Sequence, residues 1–199
     1  MKGIIGIVLG ILLMQVKPDN GTFTIYQDGK KVGTEEFSLN RGRGGYVADG
    51  RTRVTVGSET YDLRSHMELD DQLRPTFYEY QRQGSSIRLT IRKGGVSDLE
   101  YTVAGKTSPQ DIRFPEDGVI VDNNFFHHYL LLLSRAGRTS VTLPAVVPQS
   151  GALGQISVRS AGTGKYEIET DNLKLLAITD NDGRLLRITD PSGKVIVER

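Results

Sequence analysis

Between Tyr61 and Leu69 polar and apolar side chains nearly alternate. Tyr61, Leu63, Met67 and Leu69 fall on one side, and Asp62, Arg64, His66 and Glu68 on the other. A period of two is a β-strand with one face on a core and one in water; an α-helix would scatter these residues around its axis. The pattern recurs. Phe23 and Ile25 share a face in 22–27, and Phe37 and Leu39 in 32–39. In 46–56, Val54 and Val56 point inward against Arg51, Arg53 and Thr55. Residues 76–83 carry Phe77, Tyr78 and Tyr80. In 86–93 Ile87, Leu89 and Ile91 alternate with Arg88, Thr90 and Arg92, and in 96–103 Leu99, Tyr101 and Val103 oppose Asp98, Glu100 and Thr102. Turn signals separate the segments: Asp28-Gly29, Asp70-Asp71 with Pro75, Gly84-Ser85 and Gly94-Gly95.

Consecutive hairpins place sequential strands side by side. A long, twisted meander curls, so the expected fold is mainly β (α+β). It is a long curved antiparallel meander, or open half-barrel, closed by one apolar helix. The regularity stops at 105–123, which holds Pro109 and Pro115 and reads as loop. The helix follows at about 123–135. Asp122 and Asn123 are its N-cap candidates and Gly137 its stop. Phe126, Tyr129, Leu130 and Leu133 form one stripe, which Phe125 and Leu132 widen until little polar face remains. Such a helix is buried, and each large side chain contributes roughly 1.5–3 kcal/mol. Strands resume at 139–147, where Pro144 and Pro148 point to an edge or a bend, and continue through 156–159, 166–170, 173–179, 185–189 and 195–197. Residues 18–199 thus read as one β-rich domain on a single core.

Residues 1–17 read differently. Lys2 precedes the uninterrupted apolar run Ile4–Met14. A basic start and a short apolar run are the first two regions of a signal peptide. The run is shorter than the roughly 20 residues a spanning helix needs. No small-x-small cleavage site precedes Lys17, so an uncleaved membrane anchor is the alternative, and a buried first element of the fold is the plain one. Export to a periplasmic or extracellular place is the expectation. The 199 residues contain no cysteine, which removes disulfides, thiol catalysis and cysteine zinc sites. Lys+Arg at 25 against Asp+Glu at 24 lacks the basic excess of a nucleic-acid binder.

Candidate chemistry is sparse. His127-His128 is the paired-histidine feature. Adjacent helical residues diverge by about 100°, so the two are poor co-ligands, and packing is the expected role. His66 lies on the polar face of its strand. Asp180-Asn-Asp-Gly183 starts like a calcium loop, but its glycine comes early and Pro191 stands where a chelating glutamate belongs, so a hairpin turn is expected. Glu35 and Glu36 point to opposite strand faces and cannot act as an acid/base couple by themselves. No nucleophile elbow or full phosphate loop is present, and no cofactor or metal is implied.

Three segments carry a resemblance: Gly21-Thr-Phe-Thr-Ile-Tyr-Gln-Asp-Gly-Lys-Lys-Val-Gly-Thr-Glu-Glu-Phe, Asp122-Asn-Asn-Phe-Phe-His-His-Tyr and Asp182-Gly-Arg-Leu-Leu-Arg-Ile. Together they look like exported bacterial proteins of unknown function with a long curved antiparallel sheet, a shape similar to the half-barrel of the lipoprotein localisation factors. The resemblance implies a non-enzymatic exported protein handling a lipid or apolar ligand. Taken with the apolar helix, it makes Phe125, Phe126, Tyr129, Leu130 and Leu133 the candidate ligand-cavity residues, with a lipid, acyl chain or apolar peptide as partner. Two other expectations stand beside it. One is a structural or protein-interaction module whose helix is a permanent plug. The other is an envelope hydrolase with a dispersed site around His66 or His127.

Overall fold

The computed structural model describes residues 16–137 and 139–199. The expectations placed on residues 1–15, a leader or an anchor, lie outside the described residues.

Eight strands come first in the chain: β1 (Asp19–Gln27), β2 (Lys30–Gly42), β3 (Gly45–Val56), β4 (Glu59–Leu69), β5 (Pro75–Arg82), β6 (Ser85–Thr90), β7 (Ser97–Val103) and β8 (Lys106–Ile112). The short β9 (Val119–Ile120) and the helix α1 (His127–Ala136) follow. Then come β10 (Val141–Val147), β11 (Ala152–Gly162), β12 (Lys165–Thr170), β13 (Leu173–Thr179), β14 (Leu185–Thr189) and β15 (Val195–Glu198). The 15 strands of the described residues form one sheet in the order β8-β7-β6-β5-β4-β3-β2-β1-β15-β14-β13-β12-β11-β10-β9. The sheet is open and curved and does not close into a barrel. Among the described residues it is therefore mainly β with one helix, as the alternation predicts.

Two meanders meet in mid-sheet, where the first and last strands pair antiparallel with Ile25 opposite Val197. Arg199 clasps this seam. Its guanidinium donates to both Asp19 carboxylate oxygens at 2.9 and 2.6 Å and lies 5.3 Å from the Phe37 ring centroid. Pairing is antiparallel except between β9 and β10. The hairpin at Asp28-Gly29 has positive φ at both positions, 49° and 74°, the type I′ geometry that matches strand twist.

Alternation places the core. On the inner face Leu39, Ala48, Met67, Tyr78, Leu89 and Leu99 sit opposite one another from β2 to β7, and all are buried. On the other wing Ile156, Val158, Ile168, Leu175, Ala177, Leu185, Ile188 and Val197 do the same work. Helix α1 is packed on this continuous core with every residue from His127 to Leu133, and Ala136, buried.

Four expectations need correction. The stretch 105–123 is not all loop, since it holds β8 and β9. Pro109 lies on β8, the sheet's outermost strand, where no neighbour asks for the missing N–H. Val56 has the inward parity but is 58 % exposed, because β3 runs past the end of the core. The helix starts at His127 rather than near 123. Asp122 does not cap it; its Oδ1 accepts from the backbone N–H and side-chain amide of Asn124 at 2.9 and 2.7 Å. Gly137 does stop the helix, with φ 61° and its N–H on the Leu133 carbonyl.

Candidate functional site

Three inward positions on neighbouring strands break the apolar pattern. Glu35 precedes Phe37 and Leu39 on β2; Thr52 faces it from β3; Ser65 lies between Leu63 and Met67 on β4. All three are buried, with Glu35 fully enclosed. A buried polar group needs partners, and these find theirs at the start of α1. Glu35 Oε2 accepts the Phe126 N–H at 2.6 Å, and Oε1 accepts the His127 N–H at 2.9 Å. The helix therefore takes its cap from a strand, in place of a residue of its own segment. The Thr52 hydroxyl donates to the Asn124 carbonyl at 2.8 Å, which pins the segment entering the helix.

Glu35 also orients the His127 ring. Oε1 lies 2.7 Å from Nδ1, and because a carboxylate oxygen that already receives an N–H is an acceptor, Nδ1 is the donor. The other ring nitrogen, Nε2, then presents a lone pair to Ser65 Oγ at 3.5 Å. Gly50 makes the room. It sits between Phe37 and Ser65 in the cross-strand row, and a Cβ there would lie 2.3 Å from His127 Cε1 and 2.7 Å from Nδ1. The ring also stacks parallel to Phe37 and meets Phe125 edge-on.

A second buried polar group adjoins the first. Tyr78 and Gln149 both donate to Asp122 Oδ2. His128 packs edge-on to Tyr78 and to His127, with neither ring nitrogen partnered, and Gln149 Oε1 is also unpartnered. Burial, and to a lesser degree the neighbouring His127, hold the His128 pKa well below the ordinary histidine value, so this ring is neutral. Burial and the Asp122 carboxylate push the Tyr78 hydroxyl well above the usual phenol value.

The far end of α1 meets open space. A cleft of about 680 Å³ lies between Leu130, Leu133 and Gly137 of the helix end, the β11–β12 turn, the β13–β14 turn and residues 16–19. Leu130, Leu133, Val16 and Tyr166 give it apolar walls; Lys17, Asp180, Asp182 and Arg184 give it a polar rim, where Lys17 and Asp182 pair at 3.1 Å. Of the five sequence-nominated cavity residues, Leu130 and Leu133 line this cleft. Phe125 and Tyr129 are packed into the core, and Phe126 is half-buried beside Tyr129. On the convex face a shallower depression of about 410 Å³ is lined by charged side chains, including Arg51, Arg64 and His66. His66 pairs with Asp49 there at 2.7 Å, on the face of β4 opposite to that of its neighbour Ser65. No cluster of three or more metal-ligating side chains occurs among the described residues.

Sequence reasoning named His127, weighed Glu35 only as half of a carboxylate pair with Glu36, and missed Thr52 and Ser65. The available signal was their parity: polar side chains where the strand pattern requires apolar ones.

No family model matches the chain, and no curated protein matches it. Among solved structures, the crystal structure of a DUF1089 family protein from Pseudomonas aeruginosa superposes with a TM-score of 0.51, at 12 % identity, over 80 % of this chain and 90 % of that one. At that identity the likeness is one of fold: a β-rich protein built on a large sheet. The half-barrel of the localisation factors is not what this similarity shows.

Proposed function

We propose that this chain binds an acyl chain, a lipid or a similar apolar ligand in the cleft beside the C-terminal half of α1. The observation that carries the reading is the cleft itself: about 680 Å³ with leucine, valine and tyrosine walls and a charged rim. Ligand sites of this kind are concave, mostly apolar, and fixed by a few polar groups. An apolar chain lies along Leu130, Leu133 and Tyr166, and the charged rim borders the mouth of the cleft. Export, with Lys2 and the Ile4–Met14 run as leader or anchor, is part of the same proposal.

A melting experiment tests it. A ligand that binds the folded state stabilises it by about 2.7 kcal/mol at a hundredfold excess over its dissociation constant. Saturating palmitate should raise the melting temperature of delipidated chain. Tyr166→Glu should abolish the rise, because a charge would be desolvated against the tail. Phe126→Glu should leave the rise in place, since Phe126 does not line the cleft. No rise with fatty acids or phospholipids would remove the binding reading and favour the permanent plug, which the complete burial of residues 127–133 supports.

A further inference from the structure

We propose that Ser65, His127 and Glu35 form an esterase-type reactive site acting on acyl esters whose chain is held in the cleft beside α1. The proposal rests on the binding reading above. The order of groups is that of an activated nucleophile: hydroxyl, imidazole base, orienting carboxylate. Glu35 Oε1 stands 2.7 Å from His127 Nδ1, and His127 Nε2 stands 3.5 Å from Ser65 Oγ. The second distance is long, as such contacts often are before substrate arrives.

Three features single this cluster out from an ordinary buried cap. Capping α1 needs only the Glu35 carboxylate and two backbone N–H groups; it does not need an imidazole. The imidazole nevertheless has a place built for it, because any side chain at Gly50 would collide with the ring. The ring is then aimed at the one hydroxyl in the row formed by Phe37, Gly50, Ser65 and Tyr80 that stands next to that gap.

The helix links the cluster to the cleft. His127 and Leu130 are three apart and so are neighbours on one face. The cleft reaches Leu130, so an acyl chain lying along Leu133 and Leu130 ends about one helical turn from His127, with its ester end nearer the cluster. Ser65 is buried, so the ester reaches it when the entry segment around Asn124 lifts from Thr52.

The step balances without a co-reactant beyond water. Ser65 Oγ bonds to the ester carbonyl carbon while its proton passes to His127 Nε2. The carbon–alkoxide bond breaks, and the alcohol leaves with that proton. Water then attacks the acyl-serine, giving one proton through His127 to Ser65 Oγ and releasing the carboxylic acid.

The test uses the full chain and a long-alkyl fluorophosphonate, which phosphonylates an activated serine with loss of fluoride. One adduct per chain is expected, mapped by peptide mass spectrometry to Ser65. Ser65→Ala should carry no adduct and should still show the palmitate melting shift. Glu35→Gln, which keeps a side chain of the same shape but no longer orients the His127 base, should slow labelling by roughly 100-fold or more, the range that an effective general base contributes. A wild-type chain that shifts with palmitate but takes no label on Ser65, or labels equally in Ser65→Ala, would overturn the proposal and leave the binding reading standing. Absence of the palmitate shift removes binding instead, whatever the label shows.

Discussion

The two wings of the sheet are built from the same pattern and filled differently. From β11 to β15 the inner face carries Ile156, Val158, Ile168, Leu175, Ala177, Leu185, Ile188 and Val197. From β2 to β5 the inner face carries Glu35, Thr52, Ser65 and Tyr78 among its apolar residues, and the helix brings His127 and His128 onto them. The apolar wing stabilises by burial alone. The polar wing must satisfy each group it buries, and it leaves His128 and one Gln149 oxygen unsatisfied. The difference teaches that the polar wing caps and orients α1 with its buried groups, a task the apolar wing does not share.

Substitutions sharpen that contrast. Glu35→Ala strands the His127 ring and two backbone N–H groups in the interior. Each buried donor left without its acceptor costs about 1–3 kcal/mol, and losing the acceptor of three at once makes this the largest single effect expected here. Ile168→Ala on the apolar wing and Leu130→Ala on the helix create cavities worth about 2–5 kcal/mol. Chemical denaturation of the three variants measures both. A Glu35→Ala cost well below that of Ile168→Ala would mean the polar cluster does not hold the helix.

Acid should separate the wings further. The folded state holds the His128 pKa below its ordinary value, so the unfolded chain takes up that proton first as pH falls. The contribution of neutral His128 is therefore fully present above about pH 6.5 and is lost progressively below it, down to the depressed folded value. Urea midpoints measured between neutral and mildly acidic pH should fall more steeply for the wild type than for His128→Phe, whose ring fits the same aromatic surroundings and carries no titrating proton. Parallel curves would break the assignment. Ile178 and Leu176 sit on the outer face with partial exposure, and the outward Arg88 pairs with Glu79 at 2.9 Å. Arg88→Ala should change stability by less than about 0.5 kcal/mol, the smallest effect of the set.

Sequence and structure agree where period and turn chemistry decide. Leu63, Met67 and Leu69 are buried as their parity requires, and Asp28-Gly29 turns as its residue types require. Agreement fails where a long-range partner decides. The helix start moved to His127 because its cap, Glu35, comes from a strand ninety-two positions earlier in the chain. Residues 106–112 form a strand because β7 offers them an edge, although their own sequence carries proline and no alternation. The Ser65, His127 and Glu35 arrangement was illegible for the same reason: no local spacing joins residues on two strands and a helix. The cleft was half legible. Leu130 and Leu133 could be named as buried helix residues, but not that two turns and residues 16–19 would leave space beside them.

Native mass spectrometry of delipidated chain titrated with palmitate addresses the binding site most directly. The wild type should hold one palmitate per chain, and Tyr166→Glu, altered only in the cleft wall, should hold none. A wild-type chain that stays unliganded at every concentration, or a variant that binds as the wild type does, would contradict ligand binding beside α1.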